Sequence, residues 1–151
     1  MVWGEVPPEL LCCISARHPR RFINQIDIEK SSSNTSSEQQ AVWQYGNSWG
    51  YQTISFELTT VAGKKFLVSR REEGFTVNFP STFLIEPGEH QVFAIQLDKR
   101  WETQQSLPKT NEESISLRAI YEVPPTPEAA RYKVWTGRLE SHSYDLKLIQ
   151  W

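Results

Sequence analysis

A chain of 151 residues that carries 16 Lys and Arg against 18 Asp and Glu has a formal net charge of −2 at pH 7, so no overall field gathers nucleic acid or an anionic membrane surface. That length lets one domain, spanning 1–151, bury a core without metals or disulfide staples. No apolar run approaches a membrane span, and the opening MVWGEVPPELLCC lacks both a basic start and a sustained apolar segment, so no secretory signal is read and a cytoplasmic chain is expected.

Taken in order, the chain shows period-two segments broken by Gly, Pro, Ser and Asn clusters, the pattern of many short antiparallel strands. The first two predicted strands are 10–15 and 22–29, the second with Phe22, Ile26 and Ile28 on one face. Cys12 and Cys13 are adjacent and would point to opposite faces of the first strand, so they build no disulfide framework; one thiol inward and one outward is the expected arrangement, with a vicinal disulfide or a reactive thiol as the alternatives. SSSNTSSEQQ, 31–40, has nothing to bury and is predicted to be a flexible loop, and its Asn34-Thr35-Ser36 sequon matters only in a secreted chain.

A short aromatic strand at 41–45 is followed by one at 51–60, where Ile54, Phe56 and Leu58 alternate with Ser55, Glu57 and Thr59. VAGKK turns the chain at Gly63 into a strand at 66–70, which predicts a hairpin. Two short strands are predicted at 75–79 and 82–85, separated by Pro80. Pro87-Gly88 centres the next turn and leads to a strand at 91–98 closed by Trp101. After a polar connection, 99–111, the clearest strand is 114–123, with Ile115, Leu117, Ala119 and Tyr121 on one side. Strands at 132–139 and 144–149 finish the chain.

Roughly seven to nine strands at such spacing predict an all-β fold, a two-sheet antiparallel sandwich of immunoglobulin-like type. Within YEVPPTPEAARYKVWTG, 121–137, the two prolines end a strand, Thr126 is an N-cap and Pro127 the first helical residue, so a short helical turn is expected near 126–132 and a structural connection accounts for the stretch.

FLIEPGEHQVFAIQL followed by SLRAIYEVPP and YKVWTGRLESHSYDLKL resembles the C-terminal half of bacterial immunoglobulin-like β-sandwich domains: a Pro-Gly-Glu turn before an alternating strand, an Arg-Ala-x-Tyr strand and a Trp-Thr-Gly-x-x-Ser strand. The likeness covers about 83–148 and implies a fold rather than an activity, since these motifs are structural. Some such domains are accessory modules of larger proteins, and the intracellular proteinase inhibitors of bacilli are similar in general architecture.

Chemistry finds little support in the residue types. His18, His90 and His142 are expected in loops or turns and are not at metal-ligand spacing, Asp is scarce, Glu72-Glu73 and Glu112-Glu113 read as solvated pairs, and the glycines are scattered at turns. No catalytic residue, metal site or cofactor is expected. Aromatics remain: Trp43, Trp49 and Tyr51 in VWQYGNSWGYQ are the candidate ligand-binding residues, with Trp49 expected to be exposed in the GNSWG turn. Arg17, Arg20 and Arg21, and Lys64, Lys65, Arg70 and Arg71, are read as two separate solvated basic ends. Tyr121 and Trp135 are read as structural. A non-enzymatic module with a protein partner is the expected function; the alternative is a carbohydrate-binding module using the surface aromatics, and the third is a proteinase inhibitor presenting a loop.

Overall fold

The computed structural model describes residues 10–16, 20–21, 26–103 and 112–149. Among the described residues the fold is all-β and almost wholly antiparallel. Its strands are β1 (Leu10–Ala16), β2 (Arg20–Arg21), β3 (Ile26–Asn34), β4 (Gln40–Trp43), β5 (Ile54–Thr60), β6 (Lys65–Arg70), β7 (Thr82–Ile85), β8 (His90–Leu97), β9 (Trp101–Thr103), β10 (Glu112–Val123), β11 (Gly137–Glu140) and β12 (Tyr144–Ile149). Two single-turn helices, α1 (Ser48–Tyr51) and α2 (Pro127–Arg131), interrupt them.

The largest sheet runs β2-β12-β10-β5-β6-β9, with β11 also on β10; β1-β3-β8 and β4-β7 form the other ladders. In β5 burial alternates along the whole strand, as the spacing of Ile54, Phe56 and Leu58 predicts. These residues, with Phe66 and Val68 of β6 and Leu117 and Ala119 of β10, share one hydrophobic cluster with Val42, Ile85, Ile95 and Leu97 from the other ladders. Each fully buried side chain of that size contributes about 1.5–3 kcal/mol, so this shared cluster is what joins the sheets.

There are more strands than expected because several are segments of one line. β10 pairs first with β12 and then with β11, and the register slips by one residue between Leu117↔Tyr144 and Ile120↔Glu140. Ser141 fills the slip: its hydroxyl accepts from Ala119 N at 2.9 Å and donates to the His142 carbonyl at 2.8 Å, replacing ladder bonds that the bulge removes.

A second interruption joins β3-β4 to β7-β8. The Glu86–Glu89 turn closes with Glu89 N donating to Glu86 O at 3.0 Å, and Gly88 has φ +80°, the type II geometry that Pro-Gly at its centre favours. It closes no hairpin, because β7 pairs with β4 and β8 with β3. Asn34 bridges the gap. Its backbone exchanges bonds with Glu89 O and Gly88 N, both at 2.9 Å. Its side chain, 1% exposed, donates to Ile85 O at 2.8 Å and Glu38 O at 2.7 Å and accepts from Ser36 N at 3.0 Å. The Nδ2 atom that a sequon glycan would take is therefore committed to two carbonyls inside the fold.

Three sequence expectations change. Ser31 to Asn34 are strand rather than loop, because β3 is a central strand laddered on both sides by β1 and β8, and such pairing needs backbone rather than apolar side chains. No strand forms at 75–79, where Gly74 and Pro80 bracket an irregular segment. The strand predicted at 132–139 is reduced to β11: α2 continues to Arg131, and Val134 makes only an isolated bridge to Ala41. Phe22 and most of the 99–111 connection lie outside the described residues.

A chain of ion pairs crosses β6, β5, β10 and β11: Lys65–Glu57 at 3.2 Å, Glu57–Arg118 at 2.6 Å, Arg118–Glu140 at 2.8 Å, Glu140–Arg138 at 3.1 Å and Arg138–Glu122 at 2.8 Å. Burial alone would raise Glu57, but Lys65 and Arg118 outweigh it and hold the carboxyl below the usual glutamate range. Exposed links of this kind are worth about 0.2–1 kcal/mol each, so they set strand register more than they stabilise it.

Replacing Asn34 by Ala removes the side-chain donor from the buried Ile85 carbonyl, while the Glu38 carbonyl keeps Ser36 Oγ, and the unfolding free energy measured in urea should fall by roughly 1–3 kcal/mol. Gln39→Ala, at an exposed neighbour, should change it by less than about 0.5 kcal/mol.

Candidate functional site

The aromatic segment after β4 is shaped by Asn47. Its side chain accepts from Gly50 N at 2.9 Å as the N-cap of α1, and Thr53 Oγ1 closes the other end on Gly50 O at 2.7 Å. Gly50 is required there, since a Cβ would collide with the Gln44 carbonyl. The single turn therefore folds Trp49 back over β4 instead of releasing it to solvent.

Trp43 is 4% exposed and Tyr51 6%, while Trp49 is half-buried. Trp43 packs between Trp49, at 5.9 Å and 32° between planes, and Tyr132 at 5.7 Å. A sugar platform needs coplanar rings with free faces; this tilted stack with a buried central ring is part of the interior. Trp43 and Tyr51, expected from the sequence to touch ligand, instead sit among other side chains: Trp43 against Trp49 of α1, and Tyr51, itself in α1, against Phe75 and Arg70.

What the structure does bring together is a cage around Arg70. At the end of β6, and opposite Trp101 in the ladder, the Arg70 guanidinium carbon lies 4.0 Å from the Tyr45 ring centroid, 4.5 Å from that of Tyr51 and 5.2 Å from that of Trp101. Cation-π contacts of this kind are worth about 0.5–2 kcal/mol. Arg70 Nε, the Tyr45 hydroxyl and Trp101 Nε1 are buried without a hydrogen-bond partner among the described residues. Burial pushes the Tyr45 phenol up to about 12, against the opposing charge of Arg70. Tyr51 is raised by burial and by Glu73, again opposed by Arg70.

The neighbouring arginines have carboxylate partners: Arg100 binds Asp98 at 2.7 Å and holds that carboxyl low, and Arg71 lies 3.7 Å from Glu102. Among the described residues no carboxylate forms an ion pair with Arg70. The sequence grouped Arg70 with Lys64 and Lys65, yet these lie at the opposite end of β6, where Lys64 covers Phe66 and Lys65 pairs with Glu57. Nothing in the sequence marks the cage, because its rings come from β4's exit, α1 and β9.

Beyond Arg70 the irregular segment 71–81 is tied down at several points. Phe75 meets Tyr51 edge-on at 5.4 Å; Asn78 accepts from Ser48 N at 3.0 Å and donates to Ser48 Oγ at 2.6 Å; Ser81 O accepts from Gln44 N and from Asn47 Nδ2. Held this way, the segment projects Val77 and Phe79, 73% and 71% exposed, on either side of the anchored Asn78.

The 121–137 stretch is built largely as expected. Thr126 Oγ1 accepts from Ala129 N at 3.1 Å, Pro127 opens α2, and Tyr121 stacks on Trp135 at 17°. α2 ends with Lys133 N on Ala130 O and Val134 N on Ala129 O, a Schellman closure with Lys133 at φ +54° where glycine is usual. A groove of about 650 Å³ lies against it, lined by Pro125, Pro127, Val134 and Trp135 among others. His90 and His142 are exposed, and His18 lies outside the described residues.

No protein-family model, curated protein or solved structure matches this chain. Among the described residues no helix is long and apolar enough to cross a membrane, and no group of three or more His, Cys, Asp or Glu is placed to hold a metal ion.

Tyrosine in an unfolded chain ionises near pH 10, whereas Tyr45 in the fold does so only at about 12. Between these values the unfolded state gives up its proton first, so stability should fall as pH rises from about 10 to 12, and Tyr45→Phe should flatten that part of a thermal-unfolding profile. Lys133→Gly relieves the left-handed backbone of a side-chain residue and should raise the unfolding free energy by roughly 0.5–1 kcal/mol in urea titrations.

Proposed function

We propose that this chain is an immunoglobulin-like β-sandwich domain that performs no catalysis and serves as a protein-interaction or accessory module. The strand order supports the fold: the first strands divide between ladders, β1 antiparallel to β3 and β2 parallel to β12, around a central β10 flanked by β5 and by β11 with β12.

The observation that carries the function is the anchored 71–81 segment. Exposed large apolar side chains are ordinary when scattered, but here two of them flank a residue hydrogen-bonded at both amide atoms to α1. A contact surface ordered before binding loses less conformational entropy on association, and apolar anchors entering a partner's pocket are where binding energy concentrates. A proteinase inhibitor would use the same segment, since it too needs an ordered projecting loop.

Affinity capture from the native cell lysate tests the reading when the chain is compared with a Val77→Ser, Phe79→Ser double variant of equal thermal stability. A protein retained by the first and depleted at least about tenfold by the second supports it, in line with the 1–2 kcal/mol or more that a buried anchor contributes. Equal retention, or none, removes the proposal. If the captured protein is a proteinase that leaves 76–80 uncut, the inhibitor reading gains; prompt cleavage there excludes it.

A further inference from the structure

We propose that the Arg70 cage is a binding site for a small oxyanion, a carboxylate or a phosphoryl group, held by the Arg70 guanidinium together with Trp101 Nε1 and the Tyr45 hydroxyl. The site does not depend on the 71–81 segment acting as a contact surface.

Ring faces and a guanidinium edge do different work. Tyr45, Tyr51 and Trp101 attract the cation through their faces, at 4.0, 4.5 and 5.2 Å, whereas the N–H donors of a guanidinium lie in its own plane and are not used by a ring stacked on it. Arg70 is thus oriented, with the Tyr51 hydroxyl as a hydrogen-bond partner, while its Nε is buried with no acceptor among the described residues. Burying an uncompensated cation and its donors is costly, by about 1–3 kcal/mol for each unpaired group.

The donor set has a sign. An indole N–H and a guanidinium N–H can only donate, and the Tyr45 hydroxyl adds a third donor. A site rich in donors selects an acceptor, and a cation at its centre selects a negative one. The surroundings reinforce this: the Arg71 amide donates to the Arg100 carbonyl at 2.9 Å, which brings these two arginines beside Arg70 at one end of the sheet. Each has its own carboxylate, Glu102 and Asp98, while Glu73 is engaged with the Tyr51 hydroxyl. Arg70 is the member of the group that the described chain leaves without one. Arg70 and Tyr45 are half-buried, so the guanidinium is not sealed from solvent.

The test uses the whole chain labelled with ¹⁵N and titrated with sodium phosphate, sodium acetate and, at matched ionic strength, sodium chloride. The assigned Trp101 indole N–H and Arg70 Nε–H resonances are expected to move along a saturating curve with phosphate or acetate and not with chloride. Tyr45→Phe, which keeps the ring and removes one donor, should raise the dissociation constant about three- to tenfold. Arg70→Met should abolish the response; if that variant fails to fold, the Tyr45→Phe comparison decides alone. Saturation with acetate only names a carboxylate ligand, and with phosphate only a phosphoryl group. A response equal to that of chloride, no saturable shift, or an unchanged constant in Tyr45→Phe overturns the proposal.

Discussion

A single buried amide holds the two halves of this fold in register. Where β3 passes into β4 and β7 into β8, the antiparallel register shifts by two residues between Ser33↔His90 and Gln40↔Ile85, and the backbone bonds that a continuous ladder would make are lost. Asn34 supplies them, exchanging backbone bonds with Glu89 and Gly88 and donating its side chain to Ile85 and Glu38. An amide can do this because it carries donors and an acceptor on one short stem. With the crossing secured, β4 and β7 run on as a pair, Val42 and Ile85 reach the common core, and the chain leaves β4 where Asn47 can cap α1. The Arg70 cage, built from the exit of β4, α1 and the ends of β6 and β9, follows from that placement.

Two groups of charges show how context decides the role of a side chain. Across β6, β5, β10 and β11 Lys65, Glu57, Arg118, Glu140, Arg138 and Glu122 alternate in sign, so each cation has a carboxylate and the group is neutral as a whole. Arg70 is surrounded by rings instead. Its position is set by the Tyr45, Tyr51 and Trp101 rings rather than by a carboxylate, and its Nε has no acceptor among the described residues. Screening by water makes the first group a set of weak, replaceable links, whereas low dielectric around the second raises the consequence of every unpaired atom.

Much of the local structure was legible in the residues. Alternation in β5 and β10 predicted which faces would be buried, Gly63 and Pro87-Gly88 marked their turns, and Thr126-Pro127 marked the start of α2. Those features depend on neighbours within a few positions, and side-chain type reports them. The polar Ser31–Ser33 run was misread because its strand is made by backbone ladders on both sides, which no property of serine reveals. The burial of Trp43 and Tyr51 was not legible, because Tyr132, Phe75 and Arg70, which pack on them, come from distant segments.

The candidate sites divide in the same way. Val77 and Phe79 are visible as apolar residues, yet only the bonds from Asn78 and Ser81 to Ser48, Asn47 and Gln44 make them an ordered pair. Composition and periodicity by themselves determined an all-β chain, its main turns and the cap of α2, because each of these is a short-range balance of backbone geometry and amphipathic spacing. Only the tertiary structure decided that Asn34 is buried, that the Trp43 stack is closed, and that Tyr45, Tyr51 and Trp101 meet at Arg70. Those outcomes rest on contacts between segments far apart in the chain, and such contacts exist only once the sheets have chosen their partners.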